Sequence, residues 1–139
     1  CDFLKGSISD FAKEHDIALH IESDLEPSEL KTLLDYINLP KTIKLNHDIG
    51  NSASLGWDPE EELILLSKYL GSIHIKDRLL GGGTVPLGEG NADFSKTFNI
   101  INRIGYSGRF TLETARGDTG EELCTVKSQI EFVMNYLNH

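Results

Sequence analysis

Short runs with strand character recur four times along this chain, each followed by a run with another character, and that alternation constrains the fold most. "DIALHIE" (16–22), "TIKLNHD" (42–48), "SIHIKD" (72–77) and "RFTLETA" (109–115) read as buried strands. Helical spacing fills the rest. Leu4, Ile8 and Phe11 predict a helix over the first fifteen residues. "EPSELKTLLDYIN" (26–38) has Pro27 in its first turn and Leu30, Leu33, Leu34 and Ile37 on one face. "DPEEELILLSKYLG" (58–71) opens on Asp58 as N-cap, Pro59 and Glu61 in a capping-box pattern, with Gly71 placed to stop it. "DFSKTFNIINRIG" (93–105) presents Phe94, Phe98 and Ile101 together, and the last helix (119–138) is expected to open on a second capping box, Thr119 with Glu122.

Strands alternating with helices imply parallel strands joined by crossovers, either in an open doubly wound sheet or in a (β/α)8 barrel. The chain has 139 residues and opens inside a helical pattern with no strand before it, whereas a whole barrel needs about 250 residues. The expectation is an α/β fold: the carboxyl-terminal half, about four βα units, of a TIM barrel. Residues 1–139 would then form a single partial domain, preceded by an amino-terminal half in a longer polypeptide.

In both architectures functional groups collect at the carboxyl ends of the strands. Those ends carry Glu22, Asp48, His74 and Glu113, and all four side chains can ligate a divalent cation. One carboxylate beside a turn is ordinary, since Asp and Asn are common turn residues. Four ligating groups on four consecutive strands favour a functional reading. Alternation agrees: Asn46 and Asp48 share a face, His47 points the other way and reads as structural, and Ile73 and Ile75 oppose His74 and Lys76. His20 lies one layer below Glu22 and reads as a hydrogen-bonded interior histidine.

Thirteen Lys and Arg against 22 Asp and Glu leave a net charge of −9, which argues against nucleic acid as a partner, because phosphate backbones need clustered cations. No eighteen-residue apolar run predicts a membrane span, and no signal-peptide pattern is seen. Cys1 and Cys124 form no metal-type pair, so the expected setting is a reduced, cytoplasmic one.

"IES" with Glu22, "NHDIGNSASLG" with Asp48, "IHIKDR" with His74, the following "VPLGEGNADF" and "LETAR" with Glu113 together resemble the xylose-isomerase-like sugar isomerases and epimerases. The likeness spans roughly residues 16–137. It is nearest to the sugar-phosphate members, such as ribulose- or xylulose-5-phosphate 3-epimerases and hexulose-6-phosphate isomerases. The resemblance implies one divalent metal ion, Mn2+ in the first instance with Mg2+, Co2+ or Zn2+ as alternatives, held by Glu22, Asp48, His74 and Glu113. It implies a small-molecule ketose or ketose phosphate as partner and a homo-oligomer for the full-length form. In free-sugar ketose 3-epimerases a His often follows the metal Asp by three residues. Here that place is Asn51, which weakens a free-sugar assignment.

With such a centre, a cation polarises the ketose carbonyl, a carboxylate removes the neighbouring proton and a cis-enediolate forms. Two-base 3-epimerisation would use Glu22 and Glu113 on opposite faces of the substrate; a one-base aldose–ketose isomerisation would use the same residues. Candidate substrate contacts are Asn51, Lys76, Arg78, Glu89 and Arg116. Gly81–Gly83 read either as a phosphate-cradling loop or as a lid or long turn, and Arg116 sits where barrels often bind phosphate. Trp57 reads as a pocket wall or as packing on the helix below. Competing functions are a metal-dependent dehydratase of cyclic polyols such as inososes, a DNA-repair endonuclease of the same superfamily, and a binding domain without activity. Net charge −9 and few usable histidines count against the endonuclease.

Overall fold

The computed structural model describes residues 6–38 and 40–137. Leu4 and Cys1 lie outside them, as does the last residue of the expected final helix, Asn138. Four parallel strands form one sheet in the order β1 (Leu19–Ile21), β2 (Ile43–Asp48), β3 (Leu70–Ile75) and β6 (Arg109–Leu112). A small antiparallel hairpin, β4 (Asp77–Arg78) and β5 (Thr84–Val85), follows β3. The helices are α1 (Ser7–Glu14), α2 (Pro27–Ile37), α3 (Ile49–Leu55), α4 (Pro59–Leu66), α5 (Phe94–Arg103) and α6 (Glu122–Leu137), with a 3-10 turn at Ser67–Tyr69.

Strand parity divides the sheet into two chemically distinct faces. Ile73, Ile75 and Leu112 point toward the helices, where Leu63, Phe94, Phe98, Ile101 and Val133 enclose them. Leu45 packs with Leu30, Leu34 and Leu66 in a second cluster. The other face is polar. Asn46 pairs across with Ser72, Asp48 with His74 and Ser72 with Arg109. That face lines an open groove of about 560 Å³ with His20, Glu22 and Thr111. His47, of opposite parity, is buried and places Nδ1 3.5 Å from Glu62 Oε1 on α4, the structural setting expected for it.

Local chemistry explains the element ends. Asp58 accepts the backbone N–H groups of Glu60 (2.9 Å) and Glu61 (3.2 Å), capping α4 as expected. Glu26 caps α2 in the same way through Ser28 N and Glu29 N. Phe94, Phe98 and Ile101 are all buried on α5.

Several expectations need correction. Gly71 does not stop α4; the helix ends at Leu66 and Gly71 lies inside β3. The register steps from Leu45↔Leu70 to Asn46↔Ser72, so Gly71 is the extra residue of a bulge. A Cβ there would lie 2.3 Å from Lys44 Cβ and 2.7 Å from His20 Nε2, which is why the position is glycine. Thr119 forms no capping box; α6 begins at Glu122, whose own carboxylate accepts the Gly120 N–H at 3.1 Å. The inward side of α1 is Ser9 and Ala12, while Phe11 is 55 % exposed and meets the His15 ring at a tilt of 45°. Leu33 is likewise exposed, so α2 buries Leu30, Leu34 and Ile37 alone of the four. The first strand is confined to Leu19–Ile21, because α1 closes through Asp16 in the left-handed region (φ 53) and the Ile17 N–H bonds to Ala12 O. The fourth stops at Leu112, although the Glu113 N–H still bonds to Ile75 O at 3.0 Å.

Candidate metal centre

The residue at the end of β2 sets the centre. Asp48 is both the last strand residue and the N-cap of α3, a helix that the run of Gly, Asn and Ser after it does not advertise. Its Oδ1 accepts the Asn51 N–H at 2.8 Å. That leaves Oδ2 buried and without a hydrogen-bond partner among the described residues. Oδ2 lies 3.9 Å from His74 Nδ1 and 3.5 Å from Lys76 Nζ, both on the adjoining strand or just past it. The close approach of α3 needs Gly50, since a Cβ there would meet Lys76 Cγ at 2.7 Å.

Three of the four expected ligands converge. One ligand atom each from Glu22, Asp48 and His74 lies within 4.8 Å of the others. His74 Nδ1 faces Glu22 Oε2 at 3.7 Å and Glu113 Oε2 at 2.8 Å, yet without hydrogen-bond geometry to either, and it too is a buried atom lacking such a partner. Glu113 stands beside the trio rather than in it, because its other oxygen is bonded to Lys76 Nζ. This bond, opposed by burial and reinforced by the charges of Lys76 and His74, lowers the Glu113 pKa. For Lys76, burial works against the charged form, but the Glu113 bond and the Asp48 charge outweigh it and the pKa is raised. Carboxylates with one imidazole form a donor set for Mn2+, Co2+ or Zn2+. Asp48 Oδ2 and His74 Nδ1, two buried ligand-type atoms 3.9 Å apart and without hydrogen-bond partners among the described residues, are what a cation would satisfy, so the residues present fit a divalent metal.

Glu22 is the most elaborately held of the group. Asn51 Nδ2 donates to its Oε1 at 2.8 Å and Asn46 Nδ2 to its Oε2 at 2.7 Å. Behind Asn51, Arg78 Nη1 donates to Asn51 Oδ1 at 2.8 Å. Behind Asn46, Ser72 Oγ donates to Asn46 Oδ1 at 2.6 Å, and His20 Nδ1 lies 2.7 Å from Ser72 Oγ. Desolvation, with the Arg109 and Lys44 charges, lowers the His20 pKa. His20 is hydrogen-bonded as its position suggested, but it is exposed on the open groove rather than interior. Asn46 and Ser72 were not singled out as site residues, although period two from Asp48 and His74 puts both on the inward face.

The remaining expected contacts separate. Arg78 is beside the centre, its guanidinium also bonded to Gly82 O at 2.7 and 3.1 Å. Gly81–Gly83 form the turn between β4 and β5. The N–H groups of Gly81 and Gly82 are spent on Ser54 O and Leu79 O, so the segment is built as a turn rather than as an anion cradle. The chain after β5 is anchored by fully buried Asp77, which accepts the N–H groups of Gly88, Gly90 and Ala92 at 2.9–3.0 Å. Glu89 is exposed on that segment. Arg116 lines a separate groove of about 440 Å³ with Thr125 and Gln129, between the chain after β6 and α6. Trp57 is half-buried next to His47 and Ser52.

Residues 6–136 match the family described as xylose isomerase-like TIM barrel. The L-ribulose-5-phosphate 3-epimerase of Salmonella paratyphi A is 32 % identical over 118 residues, covering 81 % of this chain and 41 % of that protein. A xylose isomerase domain protein from Planctomyces limnophilus superposes with a TM-score of 0.77 at 25 % identity, over 93 % of this chain and 51 % of that one. A D-allulose 3-epimerase from Methylomonas sp. has the same fold, with a TM-score of 0.70 at 22 % identity over 93 % and 52 %. The chain belongs to the xylose isomerase-like TIM barrel family. It spans about two fifths of the length of the curated relatives it matches and about half of the structural neighbours, and its four parallel strands are half of a barrel's eight.

Proposed function

We propose that the protein is a divalent-metal-dependent sugar or sugar-phosphate isomerase or epimerase that works through a cis-enediolate, with Glu22, Asp48, His74 and Glu113 as ligands of one Mn2+-type ion. The carrying observation is the Glu22–Asp48–His74 convergence with its two unpartnered ligand atoms. The relationship to L-ribulose-5-phosphate 3-epimerase supports a ketose phosphate as substrate. A cation bound there supplies Lewis-acid polarisation of the ketose carbonyl and its neighbouring hydroxyl.

The chain's own residues do the rest. Glu22 and Glu113 follow β1 and β6, the two outer strands of the sheet, so a substrate lying across the centre is flanked by a carboxylate on each side. One takes the proton from the carbon beside the carbonyl, and the conjugate acid of the other returns a proton to the opposite face, which inverts that carbon. Lys76, charged and bonded to Glu113, balances the carboxylates and donates to the developing oxyanion. Asn51 and Arg78 lie on the rim beside Glu22, where they meet substrate hydroxyls. Arg116 and Glu89, farther out, are assigned to the substrate's distal end, Arg116 to a phosphate.

Deuterium incorporation from D2O tests this. The full-length protein loaded with Mn2+ should exchange the hydrogen next to the carbonyl of at least one ketose 5- or 6-phosphate in a panel. Absence of exchange across the panel, with metal bound, would overturn the assignment.

A further inference from the structure

Two amide chains end on Glu22, and the chemistry of their members fixes their direction. An ionised carboxylate only accepts hydrogen bonds. The atoms of Asn46 and Asn51 that meet Glu22 are therefore their NH2 groups, at 2.7 and 2.8 Å. Each amide then turns its carbonyl oxygen the other way. The Asn51 oxygen meets Arg78, which is donor-only, and the Asn46 oxygen meets the Ser72 hydroxyl. A hydroxyl has one proton. Ser72 spends its proton on Asn46 Oδ1, so the 2.7 Å contact to His20 Nδ1 is donated by the ring. Every donor on both sides thus points toward Glu22, from Arg78 through Asn51 and from His20 through Ser72 and Asn46. An amide with an indifferent neighbour could turn over and set its oxygen against the carboxylate. At Asn46 that turn would set Oδ1 against Glu22 Oε2 and forfeit the proton of the buried Ser72 hydroxyl, so the carboxylate and the hydroxyl together hold the NH2 group toward Glu22.

We propose that Asn46, oriented by the Ser72 hydroxyl, is a positioning residue that holds Glu22 in its metal-ligating orientation. The inference rests on the metal reading above and goes beyond it, because the polar atoms of both side chains are engaged with Glu22, with each other and with His20. Partners of this kind behind metal ligands are worth about ten- to a hundredfold in affinity.

The test is Mn2+ titration calorimetry on the metal-free protein, with Ser72→Ala, Ser72→Thr, Asn46→Leu and Asp48→Asn beside the wild type. Ser72→Ala removes one oxygen and should lower Mn2+ affinity about tenfold with an unchanged circular dichroism spectrum. Ser72→Thr restores the hydroxyl, and its extra methyl has the open groove to enter, so affinity should return to within about threefold of wild type. In the metal-free Ser72→Ala protein the two Asn46 side-chain NH2 resonances should shift or broaden as the amide loses its fixed direction, a signature independent of metal. Asn46→Leu should weaken binding at least as much as Ser72→Ala. If Asp48→Asn abolishes binding while Ser72→Ala and Asn46→Leu bind Mn2+ like the wild type, or the Asn46 NH2 resonances stay in place in Ser72→Ala, the positioning role is wrong and the centre stands. If Asp48→Asn binds Mn2+ unchanged, the centre itself is wrong.

Discussion

Asp48 shows how one side chain serves the fold and the site together. One carboxylate oxygen caps α3 and the other is left buried and unpaired beside His74. The capped helix in turn brings Asn51 to Glu22, so the backbone bond that starts α3 also places a partner of the next carboxylate. Glu22 and Glu113 differ in what holds them. Glu22 receives neutral amide donors, whereas Glu113 is bonded to a lysine that lowers its pKa. The two are therefore not interchangeable even if both transfer protons. Under the proposed two-base reaction Glu22→Gln and Glu113→Gln should each reduce epimerisation by about 10²–10⁴-fold, the usual range for a removed acid–base group. Because the remaining carboxylate still reaches its own face, each variant should retain exchange of one substrate hydrogen with D2O, read by NMR. Near-normal turnover in either variant would favour a one-base isomerisation.

At the scale of elements, the stretches whose pattern depends on burial were legible in the sequence, and those set by contacts between distant residues were not. Phe94, Phe98 and Ile101 on α5 and Asp58 capping α4 follow from local spacing and local bonding. Gly71 did not, because the reason for a glycine there is Lys44 and His20 on neighbouring strands. The convergence of Glu22, Asp48 and His74 was legible because strand ends and parity place them on one face. Asn46 and Ser72 required knowing which atoms meet across the β2–β3 register. Gly71→Ala should accordingly destabilise the protein by about 1–3 kcal/mol, the range for overpacking, seen as a lower midpoint in urea unfolding; an unchanged midpoint would mean the bulge opens freely. Asp35 links α2 to the 3-10 turn before β3, accepting from Lys31, Lys68 and Tyr69. Those bonds, Lys31 first, pull its pKa far below the usual carboxylate range. A depressed folded-state pKa contributes stability above the ordinary carboxylate value and loses it as pH falls toward the folded value. Asp35→Asn should thus be slightly less stable than wild type at pH 7, since the group is exposed. The difference should vanish in strong acid, and carboxyl-carbon NMR should place the Asp35 midpoint well below that of an unpaired aspartate.

At the scale of the whole molecule, the four strands bring Glu22, Asp48 and His74 together, with Glu113 beside them, on a sheet that does not close among the described residues. β1 pairs only with β2 and β6 only with β3, so both outer strands have a free edge among the described residues. The inward face is polar over its depth, from His20 through Asn46 and Ser72 to Thr111, and cannot form an apolar core by itself. On the opposite side α6 turns Leu123, Val126, Ile130 and Met134 outward, the first of them 87 % exposed. These positions recur at helical spacing and form a continuous apolar stripe. Unpaired edges and exposed apolar stripes both favour association, and closure of a barrel takes about eight strands of consistent tilt and shear. The 139-residue chain should therefore self-associate at micromolar concentration, with a scattering mass above that of one chain and helicity that falls on dilution. Leu123→Lys together with Ile130→Lys should shift the scattering mass toward the monomer if the stripe contributes, and leave it unchanged if the strand edges alone drive association. A monomer that unfolds cooperatively and independently of concentration would show that the open sheet is self-sufficient, and that the polar inner face is stable against water without further strands.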